Sequence, residues 1–154
     1  MVLSQNMGIE DANLAGFVHG GVIMKLVDNA AGLAAIRHSR GPVVTAAIDQ
    51  MSFIEPVQLG SLVTVKASLN YVGTSSMEVG VRVETENLLT GVRLHTNSCY
   101  LTFVAVDASG KPVPVPPLKP ETPDEIRRHE AAKSRRERRL HERLSEDETR
   151  GNRT

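Results

Sequence analysis

The sequence predicts an α+β domain in which an antiparallel sheet wraps around one long central helix. A helical run that starts near Gly20 is apolar on nearly every face, as is typical of a helix inside a core. Four segments with the patterns of β-strands follow it. No second helix lies between them to cross over a parallel sheet, so we expect antiparallel pairing.

The elements can be assigned in chain order. Residues 1–9 leave room for a first strand that is short or missing. Between Val22 and Ile36 the central helix has only three strongly polar side chains, those of Lys25, Asp28 and Asn29. The predicted strands are 43–54, 63–71, 77–83 and 92–106. The second and third are joined by the turn 73–76, and the third and fourth by Thr90-Gly91.

Asp28 is the single carboxylate in this apolar helix. Acidic side chains are almost never fully buried unless they are paired, because removing the charge from water is costly. One interpretation is structural, with a neighbour pairing the carboxylate or an interface edge hosting it. The other is functional, with a cleft holding the carboxylate for acid–base or nucleophilic work.

Gly20 and Gly21 stand where the helix should begin, directly after His19. Amide groups in the first turn lack partners within a helix, and glycine lets a ligand oxygen approach them closely. With the helix dipole they form a candidate site for a carbonyl oxygen that gains negative charge. The structural alternative is that the glycine pair allows close packing of the helix on the sheet.

A longer pattern includes these residues: Asn13-x-x-Gly16-x-Val18-His19-Gly20-Gly21, followed after six residues by Asp28. It resembles the signature of hotdog-fold acyl-CoA thioesterases, especially the cytosolic (brain-type) acyl-CoA hydrolases. The resemblance covers roughly residues 8 to 140. It continues through Arg37-His38, Val43-Val44-Thr45-Ala46, Ser52-Phe53-Ile54, Ser75-Ser76-Met77-Glu78-Val79, Phe103-Val104, Val113-Pro114-Val115-Pro116 and Pro120-Glu121-Thr122-Pro123-Asp124-Glu125.

The resemblance implies thioester hydrolysis in a site shared between two hotdog units, with Asp28 and Asn13 matching the functional aspartate and asparagine. Because this chain has one unit and carries both residues, a homodimer with two equivalent sites is implied. Relatives also tend to form trimers of dimers, so a hexamer is expected. Asp28 would act as general base or nucleophile, Gly20 or Gly21 would bind the oxyanion, and Asn13 would orient water or the thioester. The sequence leaves open whether Asp28 attacks directly.

The coenzyme A part of the substrate is expected at the hairpin turn, whose hydroxyl and amide groups could meet phosphate or pantetheine. This position also resembles a CoA-contacting segment of the family, although an ordinary turn is the alternative. Arg37, Arg40 and Lys66 are candidates for the 3′-phosphate. The predicted CoA-binding residues are Val72, Gly73, Thr74, Ser75 and Ser76.

The last part of the chain is predicted to be separate, giving a hotdog domain at 1–118 and a charged helical extension at 119–154. Residues 111–123 are proline-rich and should run extended along the surface. Thr122, Pro123 and Glu125 give the signals of a helix start, and we expect the helix to reach about Leu144. Its arginines alternate with glutamates and no aromatic residue accompanies them, which argues against nucleic-acid binding.

Composition excludes several classes of function. The chain of 154 residues has a formal net charge of zero, so it lacks a general attraction to nucleic acid or membranes. No apolar stretch approaches the roughly 18 residues of a membrane span, and the start lacks the pattern of a signal peptide, so we expect a cytoplasmic protein. The single cysteine, Cys99, is interpreted as a small buried hydrophobe. The five histidines have no metal-ligand spacing, so neither a metal nor a cofactor is predicted.

Two other functions are alternatives to hydrolysis. Hotdog hydratases use an Asp and His pair at a short spacing that Asp11 and His19 do not reproduce. The second alternative is a non-catalytic acyl-CoA-binding or assembly protein. His19 itself could serve as a base, but it precedes the helix start, where its ring can simply pack or bind a backbone carbonyl.

Overall fold

In a computed structural model, which describes residues 1–151, five strands form one antiparallel sheet in the order β1-β3-β4-β5-β2. Every neighbouring pair runs antiparallel, as the sequence predicts. The strands are β1 (Val2–Asn6), β2 (Val43–Ile48), β3 (Leu62–Val72), β4 (Ser76–Glu86) and β5 (Arg93–Ala105). The first strand is therefore present but short, and it pairs with β3 at one edge of the sheet.

Strand β2 is shorter than predicted and ends at Ile48 rather than residue 54. After Asp49 donates its backbone N–H to the Tyr100 carbonyl, the chain leaves the ladder and continues as an irregular segment to β3. The segment contacts β5 at a second point, where the Ile54 N–H donates to the Thr96 carbonyl at 3.0 Å. Apolar side chains in this stretch therefore belong to a loop.

The central helix α1 (Gly20–Ser39) lies against the sheet and contacts all five strands. Its packing is close at Gly32, where an added Cβ would stand 3.6 Å from Cε1 of Phe103. One face of the helix is buried by seven residues: Ile23, Leu26, Val27, Ala30, Ala31, Ala34 and Ala35. A single sheet covers only one side of a helix, so the other apolar side stays open within the protomer, where Met24, Leu33 and Ile36 are exposed.

The proline-rich segment is partly buried and hydrogen-bonded to the rest of the domain. Val113 and Val115 are half-buried and pack on the core. Their backbone N–H groups donate to the carbonyls of Ala105 and Thr74, each at 2.9 Å. In extended, strand-like backbone alternate residues face the same side, so the two valines turn to the core while the prolines beside them are exposed. This segment thus supports the β3–β4 hairpin.

The chain divides into two compact units, residues 1–117 and 118–154. The second contains α2 (Pro123–Gly151), which continues beyond the predicted end near Leu144. Its capping box is confirmed: the Glu125 N–H donates to the Thr122 hydroxyl at 3.2 Å, and the Thr122 N–H donates to the Glu125 carboxylate at 3.0 Å. That residues 1–118 and 119–154 act as separate domains stays a prediction.

Candidate active site

Asp28 lies midway along α1 and is neither fully buried nor fully exposed. Its Oδ1 accepts a 2.8 Å hydrogen bond from the hydroxyl of Thr45, which stands on β2 at the edge of the sheet. The other carboxylate oxygen, Oδ2, has no hydrogen-bond partner in the described part of the chain. One oxygen is thus held in place while the second can meet a ligand. Thr45 belongs to the motif Val43-Val44-Thr45-Ala46, but no local pattern marks it as a partner of Asp28, because 17 positions separate the two residues.

The start of α1 has one amide already occupied. Nδ1 of His19 accepts a hydrogen bond from the Gly21 N–H at 2.9 Å, so the His19 side chain caps the helix. The His19 carbonyl accepts from the Val22 N–H, also at 2.9 Å. Among the described residues the Gly20 N–H has no partner. Of the two glycines predicted to bind an oxyanion, Gly20 is therefore the one with an available donor.

His19 has a structural role in this arrangement. Because Nδ1 accepts the hydrogen bond from Gly21, its lone pair is engaged and is not available to take a proton from water or substrate. The ring binds a backbone N–H rather than a carbonyl, which differs in detail from the expected contact. A base role for His19 is not supported by this geometry.

Asn13 shapes the loop that leads into α1. Its Oδ1 accepts from the backbone N–H groups of Ala15 at 2.9 Å and Phe17 at 3.2 Å. Gly16 takes φ +81° in the same loop, a conformation that glycine adopts without steric cost. With its oxygen engaged, Asn13 keeps only its NH₂ group for a ligand. No hydrogen bond joins Asn13 to Asp28 among the described residues of the protomer.

The hairpin turn predicted to bind coenzyme A is fixed by its carbonyls. Those of Thr74, Ser75 and Ser76 accept the N–H groups of Val115, Ala105 and Gly73, at 2.8 to 2.9 Å. The hydroxyls of these three residues make no hydrogen bond within the described part of the chain. The turn therefore combines a fixed backbone with available hydroxyl donors.

Cys99 is buried in β5, as the sequence predicts. Burial, reinforced by the Asp49 carboxylate, raises the pKa of the Cys99 thiol to about 11, so it stays protonated at neutral pH. The described residues contain no group of three or more His, Cys, Asp or Glu side chains able to hold a metal ion. No described helix has the length and hydrophobicity needed to cross a membrane.

The profile of the thioesterase superfamily matches residues 15–92, which hold α1, β2, β3 and β4. The chain belongs to this superfamily. Protein VdlD of Helicobacter pylori is 44% identical over 126 residues, covering 82% of this chain and 72% of VdlD. The cytosolic acyl coenzyme A thioester hydrolase of rat is 39% identical over 84% of this chain but only 34% of its own length.

Solved structures of thioesterases have the same fold. An apo-hexameric acyl-CoA thioesterase superposes with a TM-score of 0.88 at 39% identity, over 92% of this chain and 91% of the other. The acyl-CoA hydrolase of Staphylococcus aureus, solved with butyryl coenzyme A and coenzyme A, gives 0.87 at 33% identity, over 97% and 91%. The predicted hotdog fold is confirmed. Variants of the S. aureus enzyme with an aspartate, an asparagine or a threonine changed to alanine have also been solved.

Proposed function

We propose that this protein hydrolyses acyl-CoA thioesters to a fatty acid and coenzyme A, with Asp28 as the central catalytic group. The observation that carries the proposal is the Asp28 carboxylate, fixed by Thr45 on one oxygen and available on the other, in a thioesterase-superfamily chain. Its similarity to acyl-CoA hydrolases gives the substrate class. We place the protein in the cytoplasm, like the cytosolic relative of rat.

The residue spacing supports assigning Asn13, Asp28 and Thr45 to one site. Asn13 precedes Asp28 by 15 positions and Thr45 follows it by 17. The asparagine, aspartate and threonine changed in the S. aureus variants are separated by the same 15 and 17 positions. This agreement supports Thr45 as a third residue of the site. The hydrogen bond from Thr45 to Asp28 supports the same assignment without any comparison.

In the proposed mechanism the Gly20 N–H binds the thioester oxygen, which becomes negative as the carbonyl is attacked. The dipole of α1 adds to this stabilisation, because its positive end lies at Gly20. The Asp28 carboxylate then either takes a proton from the attacking water or attacks itself to form an anhydride that water cleaves. Both routes break the carbonyl–sulfur bond and release the thiol of coenzyme A. A single turnover in ¹⁸O-water separates them, since only direct attack can leave label in Asp28.

Helix geometry favours a site shared between two chains. Gly21 and Asp28 are seven residues apart, which corresponds to about 10 Å along α1. A single thioester carbonyl cannot reach both ends of that span. In a two-fold dimer with antiparallel central helices, the Gly20 amide and Asn13 of one chain would approach Asp28 of the other. A homodimer with two equivalent sites is the smallest assembly that fits.

Exposed apolar surface next to Asp28 also favours the dimer. β2 is an edge strand with unpaired backbone groups on one side, and its Val44 and Ile48 are exposed. The open side of α1 adds Met24, Leu33 and Ile36. A second copy would cover both surfaces. We further propose a hexamer built as a trimer of dimers, in line with the hexameric thioesterase of the same fold.

For coenzyme A we propose the hairpin residues Val72, Gly73, Thr74, Ser75 and Ser76, because their hydroxyls are available. Of the cations considered for the 3′-phosphate, Lys66 forms an ion pair with Glu84 at 2.6 Å. Arg37 and Arg40 make no ion pair among the described residues and are the better candidates.

Thiol release from a panel of acyl-CoAs of increasing chain length tests the function. We expect continuous release of coenzyme A, with a maximum at one range of chain lengths. A protein that binds acyl-CoA with micromolar affinity and releases no thiol would be a non-catalytic binder instead. A protein that neither binds acyl-CoA nor releases thiol from it would show that acyl-CoA is not its ligand.

A further inference from the structure

The loop between β2 and β3 is tied to β5 on both sides of Phe53. Before it, the Ser52 carbonyl accepts a hydrogen bond from Nδ2 of Asn97 at 2.8 Å. After it, the Ile54 N–H donates to the Thr96 carbonyl at 3.0 Å. The backbone that carries Phe53 is therefore fixed to the sheet, although it belongs to a loop.

A bulge in β5 makes this attachment possible. Asn97 pairs with Val83 and His95 with Glu84, so Thr96 between them is the extra residue. In a regular strand neighbouring side chains point to opposite faces, yet Thr96 and Asn97 are both 0% exposed. A bulge changes the direction of a side chain locally, and bulges are frequent beside active sites. Here the bulge directs the Asn97 amide to the loop.

Stability alone does not explain an asparagine at position 97. Its Oδ1 is buried and has no hydrogen-bond partner among the described residues. A buried acceptor without a partner lowers stability, whereas an apolar side chain of similar shape would not have this cost. Proteins keep such exceptions mainly where function requires them. The donor group of Asn97, bound to Ser52, is the useful part of the side chain.

Phe53 contacts the start of α1. A Cβ added to Gly20 would lie 3.4 Å from Cζ and 3.7 Å from Cε1 of the Phe53 ring, so the ring lies directly beside this glycine. Phe53 is 48% exposed although its backbone is anchored on both sides, so one face of its side chain remains open to a ligand. It stands beside Gly20, the residue whose amide we propose as oxyanion donor.

We propose that Phe53 lines the thioester end of the acyl-CoA site and shields the Gly20 amide from water, and that Asn97 is a positioning residue that holds Phe53 there. This inference rests on the proposed function. Excluding water from one side of the amide strengthens its interaction with the charge that develops on the carbonyl oxygen. The contribution appears in the transition state, so it acts mainly on kcat.

Kinetics of Phe53 variants test the shielding role. Phe53→Ala should lower kcat about tenfold or more with a smaller change in KM, to a similar extent for short and long acyl chains. Phe53→Leu, which keeps an apolar side chain at this position, should restore much of the activity. Ile54→Ala is the matched control, because it shortens an exposed side chain and keeps the anchoring N–H. Unchanged kcat in Phe53→Ala, or a loss that grows with acyl length, would overturn the shielding role.

A double-mutant cycle tests the positioning role. If Asn97 acts through Phe53, Asn97→Ala should lower kcat in the wild type but cost little more in the Phe53→Ala background. Equal losses in both backgrounds would refute the link. Should Asn97→Ala fail to fold, Asn97→Leu fills the same space without leaving a buried acceptor, and the cycle is run with that variant.

Fluorescence provides a readout that does not depend on activity. The chain has no tryptophan, so Phe53→Trp introduces a single tryptophan at the loop, whose emission can be excited separately from that of the two tyrosines. Adding Asn97→Ala should shift its emission to longer wavelength as the ring leaves α1, and an unchanged spectrum would contradict the proposed attachment. If the wild type releases no thiol from any acyl-CoA, the proposed function fails, while the spectrum still decides whether Asn97 holds the loop.

Discussion

The hydroxyl of Thr45 donates a 2.8 Å hydrogen bond to Oδ1 of Asp28, joining the edge strand β2 to the middle of helix α1. A hydrogen bond to a charged group is stronger than one between neutral groups and fixes direction as well as distance. Thr45 therefore sets the orientation of the carboxylate, and Oδ2 is the oxygen left to act.

Asp28→Ala should lower thioester turnover by at least about 100-fold, because loss of a catalytic base commonly costs 10²- to 10⁴-fold. The fold should remain intact, since the helix buries its other face. Steady-state release of coenzyme A and circular dichroism measure the two properties. Asn29→Ala, at the neighbouring exposed position, is the control and should keep near-normal turnover. Near-normal turnover in Asp28→Ala itself would contradict the assignment of Asp28 as the catalytic group.

Thr45→Val should lower kcat by about tenfold or more, because a hydrogen bond to a charged group contributes about 1.5–3 kcal/mol. Valine has almost the same shape and lacks the hydroxyl donor. Thr45→Ser keeps the donor and should restore most of the activity. If Thr45→Val and the wild type have equal kcat values, the hydrogen bond to Asp28 has no part in turnover.

Mixed dimers should recover activity if each site is shared between two chains. When an inactive Asp28→Ala chain pairs with an inactive Asn13→Ala chain, one site of the heterodimer holds both lesions and the other is intact. Random exchange should then restore about a quarter of wild-type turnover. Each variant exchanged with itself is the control. Stable heterodimers, identified by mass spectrometry, that remain inactive would mean that one chain supplies both groups.

A chain that ends after Leu118 should keep a folded, active domain. Residues 1–117 form a compact unit with its own core, against which Val113 and Val115 pack. Thermal unfolding and thiol release test this directly. A second truncation after Lys111, which removes the two valines, should be clearly less stable. An inactive or dissociated 1–118 chain would assign an assembly role to α2.

Glu84→Gln should lower the free energy of unfolding at pH values where Glu84 is charged. At pH values low enough to protonate Glu84, the substitution should have little effect. Hydrogen bonds from Lys66 and then Arg82 lower the pKa of Glu84 from 4.5 to about 2. The ion pairs therefore stabilise the folded state above pH 4.5, and this contribution is lost as the pH falls towards 2. At pH 7 we expect a loss below about 1 kcal/mol in the free energy of unfolding, because both cations are half exposed.

Urea unfolding from pH 7 to pH 3 checks this dependence. The difference between wild type and Glu84→Gln should shrink as the pH falls. Glu55→Gln removes an exposed carboxylate that has no ion pair among the described residues, so its effect should change little with pH. A Glu84→Gln difference that stays constant would attribute the effect to packing rather than charge.

Local patterns in the sequence were enough to predict the fold. The alternation in β3 and β4 places Val63, Val65, Val79 and Val81 on the buried face, and the capping box at Thr122 starts α2 as expected. Such features depend on neighbours within a few residues, so they can be read from the chain directly. Asp28 was also prominent in the sequence, because a carboxylate in an apolar helix is conspicuous.

Tertiary structure alone decided which groups meet. Thr45 reaches Asp28, Asn97 reaches the Ser52 carbonyl, and Phe53 reaches Gly20, across separations of 17 to 45 residues. No periodicity relates such positions, because their contact depends on strand order, on a bulge and on where a loop leaves the sheet. The sequence by itself determined the elements and the conspicuous carboxylate. Packing of those elements determined which oxygen of Asp28 is held and which amide of the glycine pair remains available.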